Sequence, residues 1–188
     1  VHIDIEGAEL GKNTNDTHML RGDIKMTLKK MLPLIQKAER PEWMAQVASY
    51  KEEEKKVADK REGMTPYNCL SLLNKYLKDT TPVATDVGQH QVWAAQVLEF
   101  KQMRKFISSG GLGTMGFGMG AAIGAAMATK ERSVLVTGDG SFGMNLNELA
   151  TAVTYNTPVV TVIMNNGVLG MVRQWQTLFF GKRYSNTT

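Results

Sequence analysis

One cysteine in 188 residues, Cys69, leaves no partner for an intrachain disulfide and no basis for a multi-cysteine zinc site. Histidine is scarce too: His2, His18 and His90 lie far apart and without ligand spacing. Long apolar runs are missing. The longest, GMGAAIGAAMA, is too short and too rich in glycine and alanine to span a bilayer, so no membrane partner is expected. The opening VHIDIEGAEL is neither a signal peptide nor a transit peptide. Charge of one sign is not in large excess: 22 basic against 18 acidic residues give +4. No compact Lys/Arg block interleaves with aromatics, which argues against a nucleic-acid partner.

What remains is the composition of a globular protein, 43% hydrophobic and 21% charged, with 18 glycines gathered mostly in the second half. The length suits one core or one and a half domains. The start is strand-like and has no Met, and KRYSNTT follows directly on a helical pattern. The chain is therefore expected to be a piece of a longer one.

Val1 to Ile5 reads as a strand, followed by the polar loop GKNTNDTH. Ile24, Leu28, Met31 and Leu32 recur at helical spacing behind Asp23, a good N-cap. Pro33 and Pro41 punctuate this region. EWMAQVASYKEEEKKVADKREG reads as a charged, amphipathic helix of the kind that joins domains. The expected division is 1–36, the end of one α/β domain; 37–63, a helical linker; and 64–188, a second domain.

From Met64 onward, helices and strands alternate. MTPYNCLSLLNKYL, HQVWAAQVL, AAIGAAMATK, NLNELATAVTYN and VLGMVRQWQTLFF read as helices. PVATDVG, KFISS, SVLVTGDG and VVTVIMNN read as strands, and GGLGTMGFGMG as a glycine-rich loop. The alternation predicts an α/β fold: a parallel sheet with helices on both faces. In such sheets ligands bind beyond the carboxyl ends of the strands. Right-handed crossovers bring TDVGQHQ, TGDGS and MNNG to one edge, so Asp139 and Asn166 are expected to be neighbours in space.

A carboxylate, an amide oxygen and a backbone carbonyl form a hard oxygen site suited to Mg²⁺ or Ca²⁺. One carboxylate is a poor cage for Mg²⁺, which would need phosphate oxygens to complete its octahedron. Gly138, Gly140 and Ser141, and likewise Gly88, Gln89 and His90, offer backbone N–H groups at strand-to-helix turns. The physical reading is a metal-bridged diphosphate. Each piece also has an ordinary explanation: GDG as a turn, the Asn pair as a cap, Met144 as a buried helix residue, and Met171 and Trp175 as core on one helix face. GLGTMG is compatible with a dinucleotide loop, although Asp139 fits a metal better than a ribose.

Taken together, Gly-Asp-Gly followed by Asn-Asn resembles the thiamine diphosphate motif. TDVGQHQVWAAQ, SSGGLGTMGFG, GDGSFGMNLNELATAV and GMVRQWQTLFFGKRYSNT resemble the large, catalytic subunit of the acetohydroxyacid (acetolactate) synthase family. Val1 to about Gln36 resembles the end of that family's middle domain. The resemblance implies that Asp139, Asn166 and the carbonyl of Val168 bind Mg²⁺. It implies that Gly88, Gln89, His90, Gly140 and Ser141 hold the diphosphate, that Val87 also touches the cofactor, and that Gly113 and Met115 face the aminopyrimidine. Met144 would wedge the cofactor into its bent form. Met171, Val172 and Trp175 would line the substrate pocket, Met171 also touching the cofactor. Asp4, Ile5, Glu9, Gly22, Asp23 and Ile24 match positions that touch FAD.

The implied activity is the condensation of pyruvate with pyruvate or 2-ketobutyrate, with loss of CO₂, in branched-chain amino-acid synthesis. A homodimer or homotetramer, a possible small regulatory subunit and a cytoplasmic, bacterial-type location go with it. The activating glutamate of the family lies in an N-terminal domain not found in these residues, so no catalytic residue is expected within the chain and the piece alone is expected to be inactive. GMG at Gly118–Gly120 stands where the family has Gly-Leu-Pro, with Gly120 expected to cap the following helix. Other readings are a related thiamine diphosphate oxidase or decarboxylase, which should lack RQWQ, a non-catalytic nucleotide-binding module, and a structural interaction domain.

Overall fold

The computed structural model describes residues 1–14, 18–59 and 62–187, in two compact units, Val1–Lys55 and Lys56–Thr188. Part of the polar loop expected before His18, and Lys60 and Arg61 of the charged helix, lie outside the described residues. No described helix is long and apolar enough to cross a membrane.

In the first unit, β1 (His2–Asp4) pairs in parallel with β2 (Met19–Arg21), His2 opposite Met19 and Asp4 opposite Arg21. The strand β2 has no alternating pattern and was not expected from the sequence; it exists because β1 supplies its partner. Helix α1 (Ile24–Met31) begins where expected, the Asp23 carboxylate accepting from the Met26 N–H at 2.9 Å. A 3-10 turn covers Leu32–Leu34, and α2 runs Pro41–Asp59.

The second unit opens with α3 (Pro66–Tyr76), capped by the Thr65 hydroxyl and with proline in its first turn. Then follow β3 (Val83–Thr85), α4 (Gln89–Val97), β4 (Phe106–Ser108), α5 (Phe117–Thr129) and β5 (Ser133–Gly138). Helices α6 (Asp139–Met144) and α7 (Glu148–Thr154), strand β6 (Val159–Met164) and helix α8 (Gly170–Phe179) complete it. The sheet is parallel throughout, in the order β4-β3-β5-β6.

Successive strand residues face opposite sides, and each side has its own core. Val83, Val134 and Val136 pack with Leu70, Ala94 and Leu98 of the α3–α4 layer. Ala84 and Leu135 pack with Met119, Ala122 and Ile123 of α5. Small residues let α5 lie close to the sheet, where the buried Ser133 hydroxyl donates to the Ala122 carbonyl at 2.8 Å. The chain winds from β3 outward to β4, then returns to the other side of β3 for β5 and β6. The order therefore reverses between β3 and β5, and a crevice opens beyond their carboxyl ends.

Two local expectations are corrected. Helix α5 starts at Phe117 with Gly116 as its N-cap, so Gly120 lies inside the helix and does not cap it. The GDGSFGM stretch is itself helical as α6, separate from α7.

Candidate functional site

Three strand ends and one loop meet at the crevice around a cavity of about 390 Å³. The turn after β3 contributes Val87, Gly88, Gln89 and His90, and the glycine-rich loop contributes Gly113 and Met115. Asp139, Gly140 and Ser141 follow β5, and Asn166 and Val168 follow β6. Helix α8 closes one side with Met171, Val172 and Trp175.

At the ends of β5 and β6, the Asn166 N–H donates to Asp139 Oδ1 at 3.3 Å. Asn166 Oδ1 accepts from the Val168 N–H at 3.1 Å, and Asn165 Oδ1 from the Gly167 N–H at 3.3 Å. Both asparagines thus bond to backbone two residues on, the ordinary work of such residues in a turn. These bonds link Asp139, Asn166 and Val168, and all three residues line the cavity. Among the described residues, no three His, Cys, Asp or Glu side chains gather into a metal cluster. A hard divalent cation on these oxygens would share its coordination with phosphate or water, which this donor set fits.

Beside these donors is a cradle of close contacts. A Cβ on Gly88 would lie 2.9 Å from the His90 ring, at a φ of +152° that side chains rarely adopt. One on Gly138 would lie 3.0 Å from His90 Nδ1, and one on Gly170 would collide with the Gln89 side chain. The glycines therefore admit the His90 ring and the Gln89 amide to the edge of the cavity. His90 is 5% exposed, and its Nε2 is buried with no hydrogen-bond partner among the described residues. A buried nitrogen of this kind suits a polar ligand atom. Burial pushes the His90 pKa below its ordinary 6.5, opposed by the Asp86 charge, a hydrogen bond to the Asp86 backbone and the Asp139 charge.

Two side chains are already committed. The Ser141 hydroxyl donates to the Val87 carbonyl at 3.0 Å, and Gln89 Nε2 donates to Gln174 Oε1 at 3.0 Å. Ser141 can then offer an anion mainly its backbone N–H after β5, whereas Gln89 keeps a second amide N–H beside its backbone N–H at the start of α4.

The structure does not bring Met144 to the cavity: it is 59% exposed and forms no part of the wall. Asp4, Ile5, Glu9, Gly22, Asp23 and Ile24 belong to the first unit. Asp4 and Gly22 are joined by a bond from the Gly22 N–H to the Asp4 carbonyl at 2.9 Å, and Asp23 caps α1 beside Ile24. Ile5 and Ile24 are exposed, and Glu9 pairs with Lys12 within its own turn at 2.8 Å.

Sequence reasoning missed Trp93, Met164, Leu169 and Gly170, which also line the cavity. Trp93 was detectable, lying one helical turn after Gln89. Leu169 was not: its N–H donates to the Thr187 carbonyl at 2.8 Å, a contact that only the folded chain creates.

The thiamine pyrophosphate enzyme C-terminal TPP binding domain matches residues 86–188. The whole chain is 38% identical to the acetolactate synthase large subunit of Buchnera aphidicola subsp. Schizaphis graminum (strain Sg), covering 34% of it. Over 97% of the chain it is 41% identical to the probable acetolactate synthase large subunit of Methanococcus aeolicus, again covering 34%. Over 96% it is 40% identical to the acetolactate synthase isozyme 1 large subunit of Escherichia coli (strain K12), covering 32%. The chain thus spans about a third of the length of these curated relatives. On its sheet order, its cavity and this match over more than half its length, the chain belongs to the thiamine pyrophosphate enzymes and carries their C-terminal TPP binding domain.

Proposed function

We propose that this chain is the cofactor-binding third of an acetolactate synthase large subunit, joining pyruvate to pyruvate or 2-ketobutyrate with loss of CO₂. One observation carries the reading. The oxygen donors Asp139, Asn166 and Val168, the Gly88–His90 cradle and the Met171–Trp175 wall all border a single cavity. Identity of about 40% to acetolactate synthase large subunits along the whole chain supports it.

In this reading Asp139, Asn166 and Val168 hold Mg²⁺. Gly88, Gln89, His90, Gly140 and Ser141 bind the diphosphate, chiefly through backbone N–H groups. Val87, Gly113 and Met115 orient the ring end of the cofactor. When bound, thiamine diphosphate supplies the carbon nucleophile and electron sink that decarboxylation and carbon–carbon bond formation require. Met171, Val172 and Trp175 form an apolar wall that orients the acceptor ketoacid and excludes water. Residues 1–36 belong to a middle domain that touches FAD through Asp4, Ile5, Glu9, Gly22, Asp23 and Ile24, and 37–63 link it to the cofactor domain.

Activation of the cofactor depends on a glutamate outside these residues, within a homodimer or homotetramer. Met144 wedges the cofactor into its bent form in that complete assembly. The 188-residue chain by itself is then inactive, and pyruvate consumption by it would refute this.

The deciding experiment supplies the full-length protein with pyruvate, Mg²⁺, thiamine diphosphate and FAD, and identifies the product. Acetolactate is expected. Acetaldehyde or an acetyl product would move the protein to the decarboxylase or oxidase branch of the family.

A further inference from the structure

The Gly116 peptide is gripped on both sides. Its N–H donates to Asp86 Oδ1 at 2.7 Å, across 30 positions of chain. Its carbonyl accepts from Asn145 Nδ2 at 3.1 Å, across 29 positions. Asp86 stands just after β3 and Asn145 just after α6, so the grip ties the glycine-rich loop to the β3–α4 turn on one side and the α6–α7 junction on the other. Gly116 has a φ of +85°, and a Cβ there would approach Met144 Cβ to 3.3 Å. The residue is therefore bound to glycine and held in one place. Gly113 and Met115, immediately before it, line the cavity.

Asp86 is 1% exposed and forms no ion pair among the described residues. Its second oxygen accepts from the Thr137 hydroxyl at 3.2 Å. A buried carboxylate without a cation costs stability, so a purely structural part would be better filled by an apolar or amide side chain. Holding one peptide in a fixed position is a use that justifies the cost.

We propose that Asp86 and Asn145 are positioning residues, a two-sided clamp on Gly116 that sets Gly113 and Met115 against the bound cofactor. This rests on the cavity being the thiamine diphosphate site.

The test uses the full-length apoprotein, titrated with thiamine diphosphate in excess Mg²⁺ and followed by the fluorescence of the cavity tryptophans Trp93 and Trp175. Melting of each apoprotein is measured alongside. Asp86→Leu and Asn145→Leu are each expected to raise the dissociation constant about tenfold or more, the usual scale for residues that support a binding shell. The double variant should lose about as much as the worse single one, because both act through one peptide. Asp86→Asn keeps an acceptor for the Gly116 N–H and should bind within about threefold of the parent.

If Asp86→Leu does not fold, the half-buried Asn145→Leu carries the same test. Leu variants that fold and bind within about twofold of the parent would overturn the clamp alone, as would an Asp86→Asn variant as weak as Asp86→Leu. A parent protein that binds no thiamine diphosphate would overturn the reading of the cavity, and the clamp with it.

Discussion

The backbone N–H of Asn166 donates to Asp139 Oδ1 at 3.3 Å, although 27 positions separate the two residues. Strand register produces this contact. In the β5–β6 ladder Gly138 lies opposite Met164, so Asp139 is one residue past the last pair and Asn166 two past it. A slip of one residue would turn every β6 side chain to the other face and separate the pair. The site is thus as well defined as the hydrophobic packing that sets the register.

Removing that carboxylate should empty the site. Asp139→Ala in the full-length protein is expected to abolish Mg²⁺-dependent retention of thiamine diphosphate through gel filtration. Cofactor content equal to the parent's would count against the metal assignment.

Trp175 tests the substrate wall. It is 58% exposed and tilted against Phe179 at 5.2 Å, so truncation disturbs little else. Trp175→Leu should change the product ratio from mixed pyruvate and 2-ketobutyrate by about tenfold, within the range available to one apolar contact. An unchanged ratio would remove Trp175 from acceptor selection.

Two glycines two positions apart in α5 should respond in opposite directions. A Cβ on Gly118 would meet Leu135 Cδ1 at 2.6 Å and Asp86 Oδ2 at 2.9 Å, whereas one on the exposed Gly120 meets nothing within 4 Å. Gly118→Ala is expected to destabilise by ~1–3 kcal/mol through overpacking. Gly120→Ala should stabilise by ~0.5–1 kcal/mol through helix propensity and a less free unfolded chain. Urea denaturation separates the two, and equal effects would contradict the packing of α5 on the sheet.

His90 predicts an acid limb in stability. Burial lowers its folded pKa below 6.5, while the Asp86 and Asp139 charges facing it partly offset the shift. Below 6.5 the unfolded chain takes up a proton that the folded chain refuses. Its contribution is therefore fully present above 6.5 and is lost as pH falls toward the lowered value, where the loss levels off. The urea midpoint should fall between about pH 7 and pH 5 in the parent and less steeply in His90→Asn. Equal slopes would show that other groups control this limb.

Much of the fold was legible because its signals are local. Asp23 and Thr65 sit where caps belong, and alternating β and α patterns in the second half need a parallel sheet. Where the signal was not local, the reading failed. The exposed strand Met19–Arg21 has no pattern of its own and pairs because β1 is there. The cap of α5 was placed at Gly120, whereas the Asp86 grip on the Gly116 N–H starts the helix four residues earlier. Asp86 carries no local sign of this role, because its partners lie 30 and 51 positions away.

By itself the sequence determined the chemical inventory: hard oxygen donors at Asp139 and Asn166, glycine turns before two helices, and the apolar Met171, Val172 and Trp175 in the last helix. It also determined that these lie at strand ends, since residue type and spacing act over a few positions. Only the tertiary structure decided which side chains remain free for a ligand. Ser141 spends its hydroxyl on Val87 and Gln89 one amide N–H on Gln174, His90 Nε2 has no partner among the described residues, and Met144 stays outside the wall. Hydrogen-bond partners across tens of residues are set by sheet order and helix packing, and neither is encoded in a local stretch of chain.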